Sequence, residues 1–148
     1  MPKQLTLTPE QLQATILEDA VESTIITGLK AYGYWVDHSS AKSFKPGENG
    51  KGYGATKGIS DLFVSHPAYP IAAWAHVEVK RPVGGRLSKA QGLRFRDGRM
   101  YCVQSWEEAL WAIAHFEAEV CLWKGPATRE WRRIGSPVPA EGRCLPRG

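Results

Sequence analysis

An acidic and a basic side chain stand two positions apart in an apolar run near the middle of the chain. The run is HVEVK at residues 76–80, and it contains Glu78 and Lys80. If this run is a strand, both side chains project from one face, because successive strand residues point to opposite faces. Taken alone, such a pair is an ordinary ion pair that contributes little to stability.

A second carboxylate close to this pair suggests a metal site. Asp61 lies on the preceding apolar segment, and a hairpin between residues 59 and 80 would place its carboxylate beside that of Glu78. Two adjacent carboxylates repel unless a cation joins them, and carboxylate, carbonyl and water oxygens are the ligands that Mg²⁺ prefers. A neighbouring lysine can orient or deprotonate a water molecule and offset charge on a phosphoryl transition state. The three residues therefore predict a metal site suited to phosphodiester hydrolysis.

Four apolar segments around this cluster predict the strands that position it. Each is short and rich in aromatic or β-branched residues, and each is bounded by turn-forming residues. They are YWVDHSS (34–40), ISDLFV (59–64), IAAWAHVEVK (71–80) and MYCVQ (100–104). The second and third are close enough along the chain to form the hairpin that the site requires.

Three helices are predicted from caps and periodicity. Thr8 and Pro9 begin a helix that runs to Gly33, with an apolar stripe from Leu17 to Leu29 on one face. Ser88 caps a second helix through KAQGLRFRDG, and Ser105 with Glu108 forms a capping box before ALWAIAHF. The order α-β-β-β-α-β-α predicts an α/β protein, with a mixed sheet flanked by helices.

The 148 residues are enough for one domain, and the prediction is a single domain over 1–148 with its core at about 8–118. Residues 119–148 form a C-terminal extension, in which VCLW and REWRRIG are predicted to pair as a hairpin before a loose tail. The glycine-rich stretch at 43–58 is too long for an inert connection and is predicted to be a functional loop.

Composition and charge narrow the class of protein. The net charge of +4 favours polyanionic partners such as nucleic acid. No apolar run approaches the roughly 20 residues that cross a bilayer, so no membrane partner is expected. The N-terminus lacks a secretory signal, which predicts a cytoplasmic protein, or one in the host cytoplasm if a phage encodes it. Cys102, Cys121 and Cys144 lack the spacing of a disulfide framework or zinc site and are predicted to be thiols.

Three motifs together resemble a known family. GISD at 58–61, EVK at 78–80 and GRLSKAQ at 85–91 resemble the PD-(D/E)XK nuclease superfamily and, within it, the VRR-NUC domain, which is related to Holliday junction resolvases. The resemblance covers roughly residues 15–113 and implies a restriction-endonuclease-like fold. The chain departs from the family pattern at Ser60, where proline is usual, but that position is not a ligand.

The resemblance assigns roles at the centre of the site. It implies that Asp61 and Glu78 bind Mg²⁺, or Mn²⁺ in its place, together with the backbone carbonyl of Val79. It implies that Lys80 positions the attacking water and that Gln91 supports the site from the following helix. Without the motif, Gln91 would be read as an exposed helix residue.

A glutamate on the first helix completes the family pattern. Spacing favours Glu18, and Glu22 lies one helical turn further on as the substitute. For either residue a solvated helix surface is the competing interpretation.

The resemblance also implies DNA as the substrate. Residues that flank the site are predicted to contact nucleic acid, the cations at phosphates and the tyrosine by stacking on a base: Lys51, Lys57, Arg81, Arg86, Lys89 and Tyr53. For any single lysine, surface solubility is the simpler interpretation. Branched, flapped or junction DNA is expected, because nucleases of this kind often act as homodimers and two-fold symmetry suits a junction. The alternative is a non-catalytic nucleic-acid-binding module on the same fold.

Overall fold

The computed structural model describes residues 6–39, 45–46, 52–53 and 60–134. Most of the predicted loop at 43–58 and all of the tail after residue 134 lie outside these ranges. The helices are α1 (Pro9–Ala14), α2 (Glu18–Ala31), α3 (Lys89–Arg96), α4 (Trp106–Glu119) and α5 (Pro126–Ile134). The strands are β1 (Trp35–His38), β2 (Lys45–Pro46), β3 (Gly52–Tyr53), β4 (Leu62–Ser65), β5 (Ala75–Val79) and β6 (Tyr101–Val103).

Four strands form one mixed sheet in the order β1-β4-β5-β6. β4 is antiparallel to both β1 and β5, and β6 is parallel to β5. The predicted hairpin is confirmed as β4 and β5, with Leu62 opposite Val77. Parallel strands need a crossover, which here contains α3. The predicted mixed α/β class is therefore confirmed, and the short β2 and β3 pair separately from this sheet.

The two faces of the sheet have different surroundings. Residues of the first face are almost fully buried in the core with α2 and α4: Leu62, Val64, Val77, Val79 and Val103. The alternating residues of β4 and β5 occupy the second face, which includes Phe63, His76 and Glu78. The predicted division between Glu78 and its flanking valines is therefore observed.

The predicted first helix is divided in two. It was expected to run unbroken from Thr8 to Gly33, but α1 ends at Ala14 and α2 starts at Glu18. Ile16 and Leu17 are 39% and 67% exposed, so no buried contact holds this segment in line with α2. The Thr15 hydroxyl also donates to the Leu12 carbonyl at 2.6 Å, a local bond that competes with helix continuation.

The end of α2 follows the sequence prediction. Gly33 has a φ of +86°, a conformation that favours glycine. The N–H of Gly33 donates to the Lys30 carbonyl and that of Tyr34 to the Leu29 carbonyl, at 3.0 and 3.1 Å. These two bonds form the glycine-terminated motif common at helix ends, and they turn the chain into β1.

The C-terminal extension contains a helix, and the predicted hairpin is wrong. The segment REWRRIG lies largely in α5, which packs along α4, and residues 121–125 contain no strand. Pro126 occupies the first helical position, where its missing N–H costs nothing. Ala127, Thr128 and Trp131 lie towards the core at helical spacing, a pattern that the hairpin prediction overlooked.

Two smaller expectations can be compared with the structure. Cys102 and Cys121 are thiols outside any disulfide of the described residues, as predicted, and Cys144 lies outside the described ranges. Within those ranges, the helices are too short or too polar to cross a bilayer.

Candidate active site

Glu78 lies at the centre of the predicted site and is 1% exposed. Its Oε1 atom accepts hydrogen bonds from Lys80 Nζ at 2.7 Å and from Gln91 Nε2 at 2.5 Å. Its Oε2 atom accepts from the backbone N–H of Asp61 at 3.2 Å. The structure therefore brings three of the predicted residues to the buried carboxylate of the fourth.

Asp61 reaches this site because of the strand register. Leu62 pairs with Val77, so Asp61 falls opposite Glu78 at the end of β4. The Asp61 carboxylate accepts from the N–H of Val79 at 3.0 Å, and the Asp61 carbonyl accepts from the N–H of Ser39 at 2.8 Å. The side chain is thus fixed between two strands, beside a second carboxylate.

Burial and charge set the protonation of the site. Burial raises the pKa of Glu78, the hydrogen bond from Lys80 lowers it, and the nearby Asp61 charge raises it again, to about 7. Burial alone would lower the pKa of Lys80, but its hydrogen bond to Glu78 and the charges of Glu78, Glu18 and Asp61 raise it overall. Lys80 is therefore an ammonium at neutral pH. This charge state favours orienting a water over deprotonating it.

Gln91 is held in place by the start of α3. The Ser88 hydroxyl accepts from the Gln91 N–H at 3.2 Å, and the Gln91 Oε1 accepts from the Ser88 N–H at 2.9 Å. This reciprocal capping box uses the carbonyl end of the Gln91 amide, so the NH₂ end is directed to Glu78. The S-x-x-Q signature was readable in SKAQ, but its effect on the orientation of Gln91 was missed.

The glycine turn between β5 and α3 is tight. Gly84 has a φ of +77°. A Cβ atom at Gly85 would lie 2.8 Å from the Arg81 carbonyl oxygen and 2.9 Å from the Lys80 Cβ, closer than real contacts allow. The two glycines therefore let the chain fold back over Lys80, which brings α3 to the site.

The two glutamates of α2 have different partners. Glu18 Oε2 lies 4.0 Å from Lys80 Nζ, at the edge of the site. Glu22 is buried and pairs with His38 Nε2 on β1. The structure thus places Glu18 next to the predicted lysine and Glu22 at a separate pair.

The donor set fits a hard divalent cation. Asp61 and Glu78 present two carboxylates whose mutual repulsion contributes to the raised pKa of Glu78. The Val79 N–H donates to the Asp61 carboxylate, which places the end of the β5 backbone beside this acid. Across the described part of the chain, no group of three or more His, Cys, Asp or Glu is arranged to hold a metal. Mg²⁺ commonly uses only one or two carboxylates and completes its shell with water.

The predicted nucleic-acid contacts are only partly described. Arg81 and Arg86 line a cleft of about 430 Å³ with Lys80 and Glu18, next to the site. Lys89 is exposed in the first turn of α3. Lys51 and Lys57 lie outside the described ranges, and at Tyr53 only the backbone, in β3, is described.

Comparison with known proteins gives no relative for this chain. No protein-family model matches it, and no curated protein or solved structure matches it. The function of this chain is therefore inferred from the residues of the candidate site and their geometry.

Proposed function

We propose that this protein is a metal-dependent nuclease that hydrolyses DNA phosphodiester bonds. The observation that carries the proposal is the convergence of Asp61, Lys80 and Gln91 on the buried Glu78 carboxylate. The motif resemblance supports it further and suggests a restriction-endonuclease-like arrangement of the mixed sheet, of the VRR-NUC kind.

Asp61, Glu78 and the Val79 carbonyl would hold the cation, which is Mg²⁺ or Mn²⁺ in this proposal. When bound, the ion supplies Lewis-acid chemistry, because it offsets negative charge on the phosphate and acidifies water nearby. In the hydrolysis, a water oxygen would form a bond to phosphorus as the bond to the leaving sugar oxygen breaks. The water would release one proton to solvent, and the leaving oxygen would take one up from solvent.

Lys80 contributes as a hydrogen-bond donor of fixed position. Its ammonium has three N–H donors, one of which is used by Glu78, so the others are directed to the water and to a phosphate oxygen. Glu18 stabilises the ammonium from the other side. Gln91 keeps the Glu78 carboxylate in one orientation, so that its oxygens need not reorganise when the ion binds.

DNA would enter beside Lys80. The cleft lined by Arg81 and Arg86 adjoins the lysine, and guanidinium groups bind phosphate oxygens with two parallel hydrogen bonds. The net charge of +4 adds a general attraction to the polyanion. A homodimer acting on branched or flapped DNA is part of this proposal.

The decisive experiment is a cleavage assay on linear, flapped and four-way DNA, with Mg²⁺, with Mn²⁺ and with EDTA. We expect cleavage with either metal and none with EDTA. Lys80→Met should abolish cleavage, and Lys124→Met, at an exposed lysine far along the chain from the site, is the matched control. Equal cleavage by Lys80→Met and the parent would rule out the proposed role. DNA binding without cleavage of any substrate would instead favour the non-catalytic binding module.

A further inference from the structure

A second cleft, of about 1030 Å³, opens at the N-terminal ends of β5 and β6. It lies between the end of α3 and the end of α4, and the candidate active site does not use it. Its lining includes rings and cations: Trp74, His76, Phe95, Arg96, Arg99 and Tyr101. A volume of this order is typical of sites for small organic ligands.

The chemistry of the cleft suits a nucleotide. The rings of Trp74 and Phe95 are partly exposed, so a planar base can stack on them. Arg99 is exposed at the rim, and the Arg96 side chain is 72% exposed, with its Nε 3.5 Å from the carboxylate of Asp97, whose side chain is 60% exposed. A weak exposed pair of this kind is readily exchanged for a phosphate group.

The cleft lies close to the candidate active site along β5. His76 lines the cleft and lies two residues before Glu78, on the same face of β5. Two residues along a strand span roughly 7 Å. A DNA strand bound at Glu78 can therefore place a neighbouring nucleotide in the cleft.

We propose that this cleft binds an unpaired nucleotide next to the scissile bond, so that the preferred substrates carry a single-stranded segment there. The inference rests on the proposed nuclease function and narrows its substrate class. A base within a concave cleft cannot remain paired in a duplex, and extruding it costs least where the strand is already single. Flapped or overhanging DNA then fits better than a fully paired four-way junction.

The test uses the full chain carrying Glu78→Gln, which binds DNA without cutting it. Fluorescence anisotropy would compare a labelled single strand with a blunt duplex of the same sequence, in Mg²⁺. Adding Phe95→Ala should weaken single-strand binding by at least about fivefold and leave duplex binding little changed. Phe95→Trp should retain the affinity. Leu93→Ala, at an exposed residue of the same helix that does not line the cleft, is the matched control.

A second variant guards against loss of folding. Arg99 is exposed, so Arg99→Ala should fold normally. It should lower the slope of log affinity against log salt for single strands by about 0.7. The inference is overturned if both Phe95→Ala and Arg99→Ala bind single strands as tightly as their background, or if Leu93→Ala weakens binding equally.

The result is separable from that of the nuclease assay. If the parent cleaves DNA while the Phe95 and Arg99 variants bind and cleave as the parent does, only the nucleotide cleft is wrong. If single strands bind through Phe95 and Arg99 but no substrate is cleaved, the cleft stands and the catalytic proposal fails.

Discussion

Two buried glutamates of this protein have the same side chain and contrasting surroundings. Glu78 is 1% exposed and Glu117 is 0% exposed, and burial raises the pKa of both. Glu117 accepts from the hydroxyls of Tyr34 and Tyr69 and from the N–H of Gly125, all neutral donors. Glu78 instead contacts an ammonium and lies beside a second carboxylate.

The difference separates a carboxylate that neutral donors satisfy from one that lies beside a like charge. The Glu117 network joins α4 to three distant segments, since the Tyr34 hydroxyl also accepts from the Ala127 N–H at the start of α5. Neutral donors already bind both oxygens of Glu117, so the residue fixes the packing and offers no oxygen for a ligand. The Glu78 cluster contains like charges that a bound cation would relieve. This contrast makes Glu78 the functional candidate.

The largest expected effect is on cleavage when Glu78 is neutralised. Glu78→Gln keeps the shape of the side chain but removes its charge, so DNA cleavage should fall by at least about 10³-fold. The amide keeps only one acceptor oxygen for the donors of Asp61, Lys80 and Gln91, so circular dichroism should first show that the variant is folded. Glu119→Gln, at an exposed position of α4, serves as the control. Cleavage by Glu78→Gln at the parental rate would remove the basis for distinguishing the two glutamates.

Removing the Glu117 carboxylate should lower stability and leave the rate of cleavage unchanged. Glu117→Ala takes away the acceptor shared by two tyrosine hydroxyls and one N–H, and each unsatisfied buried group costs about 1–3 kcal/mol. The free energy of unfolding, from urea titration, should fall by about 3 kcal/mol or more. The kcat of the folded fraction should be unchanged. A selective loss of kcat without loss of stability would mean that Glu117 takes part in catalysis.

The dependence of the free energy of unfolding on pH should reveal the raised pKa of Glu78. The pKa of Glu78 is about 7 in the folded protein and 4.5 ordinarily, so between these values the folded state binds more protons. Stability attributable to Glu78 therefore falls as pH rises from about 4.5 through 7, by roughly 2–3 kcal/mol.

The measurement is chemical unfolding in metal-free buffer with EDTA, at several pH values, for the parent and Glu78→Gln. The parent should lose stability relative to the variant over this window. Glu117 contributes equally to the pH dependence of the unfolding free energy in both proteins, so its contribution cancels when the variant is subtracted from the parent. Parallel curves would show that Glu78 titrates at its ordinary pKa in the folded state.

Much of the site was readable from sequence because it depends on local rules. The two-residue period placed Glu78 and Lys80 on one face, and the short connection between the apolar runs predicted the hairpin that brings in Asp61. Serine caps predicted the starts of α3 and α4. None of these inferences required knowledge of a distant contact.

The parts that sequence missed depend on long-range packing. The break between α1 and α2 follows from the exposure of Ile16 and Leu17, although their apolar character predicted burial. α5 packs on α4 through residues at helical spacing, a signal that the hairpin prediction overlooked because the distant partner helix was not known. Glu117 gave no signal, since its partners lie far away in the sequence. Local patterns therefore located the candidate chemistry but not the network that supports the fold.

The smallest expected effect is on kcat, when the serine caps of two helices are removed. One cap starts α3, which carries Gln91, and the other starts α4, which carries Glu117. Ser88 caps α3 and Ser105 caps α4, each accepting from an N–H three residues on. Replacing either with alanine should cost about 1 kcal/mol of stability. Only Ser88→Ala removes a bond that a hydroxyl accepts from the N–H of Gln91, the residue whose side-chain amide donates to Glu78.

Ser88→Ala should therefore lower kcat by several-fold, whereas Ser105→Ala should leave it unchanged at temperatures where both variants are folded. Gln91→Ala sets the upper limit, since loss of a residue that orients a metal ligand typically costs about 10- to 100-fold. If the two serine variants lose activity equally, the cap of α3 acts only through stability. If only Ser88→Ala loses activity, the capping box of α3 positions Gln91, and through it Glu78, for catalysis. The cap of α4, the helix that carries Glu117, then serves stability alone.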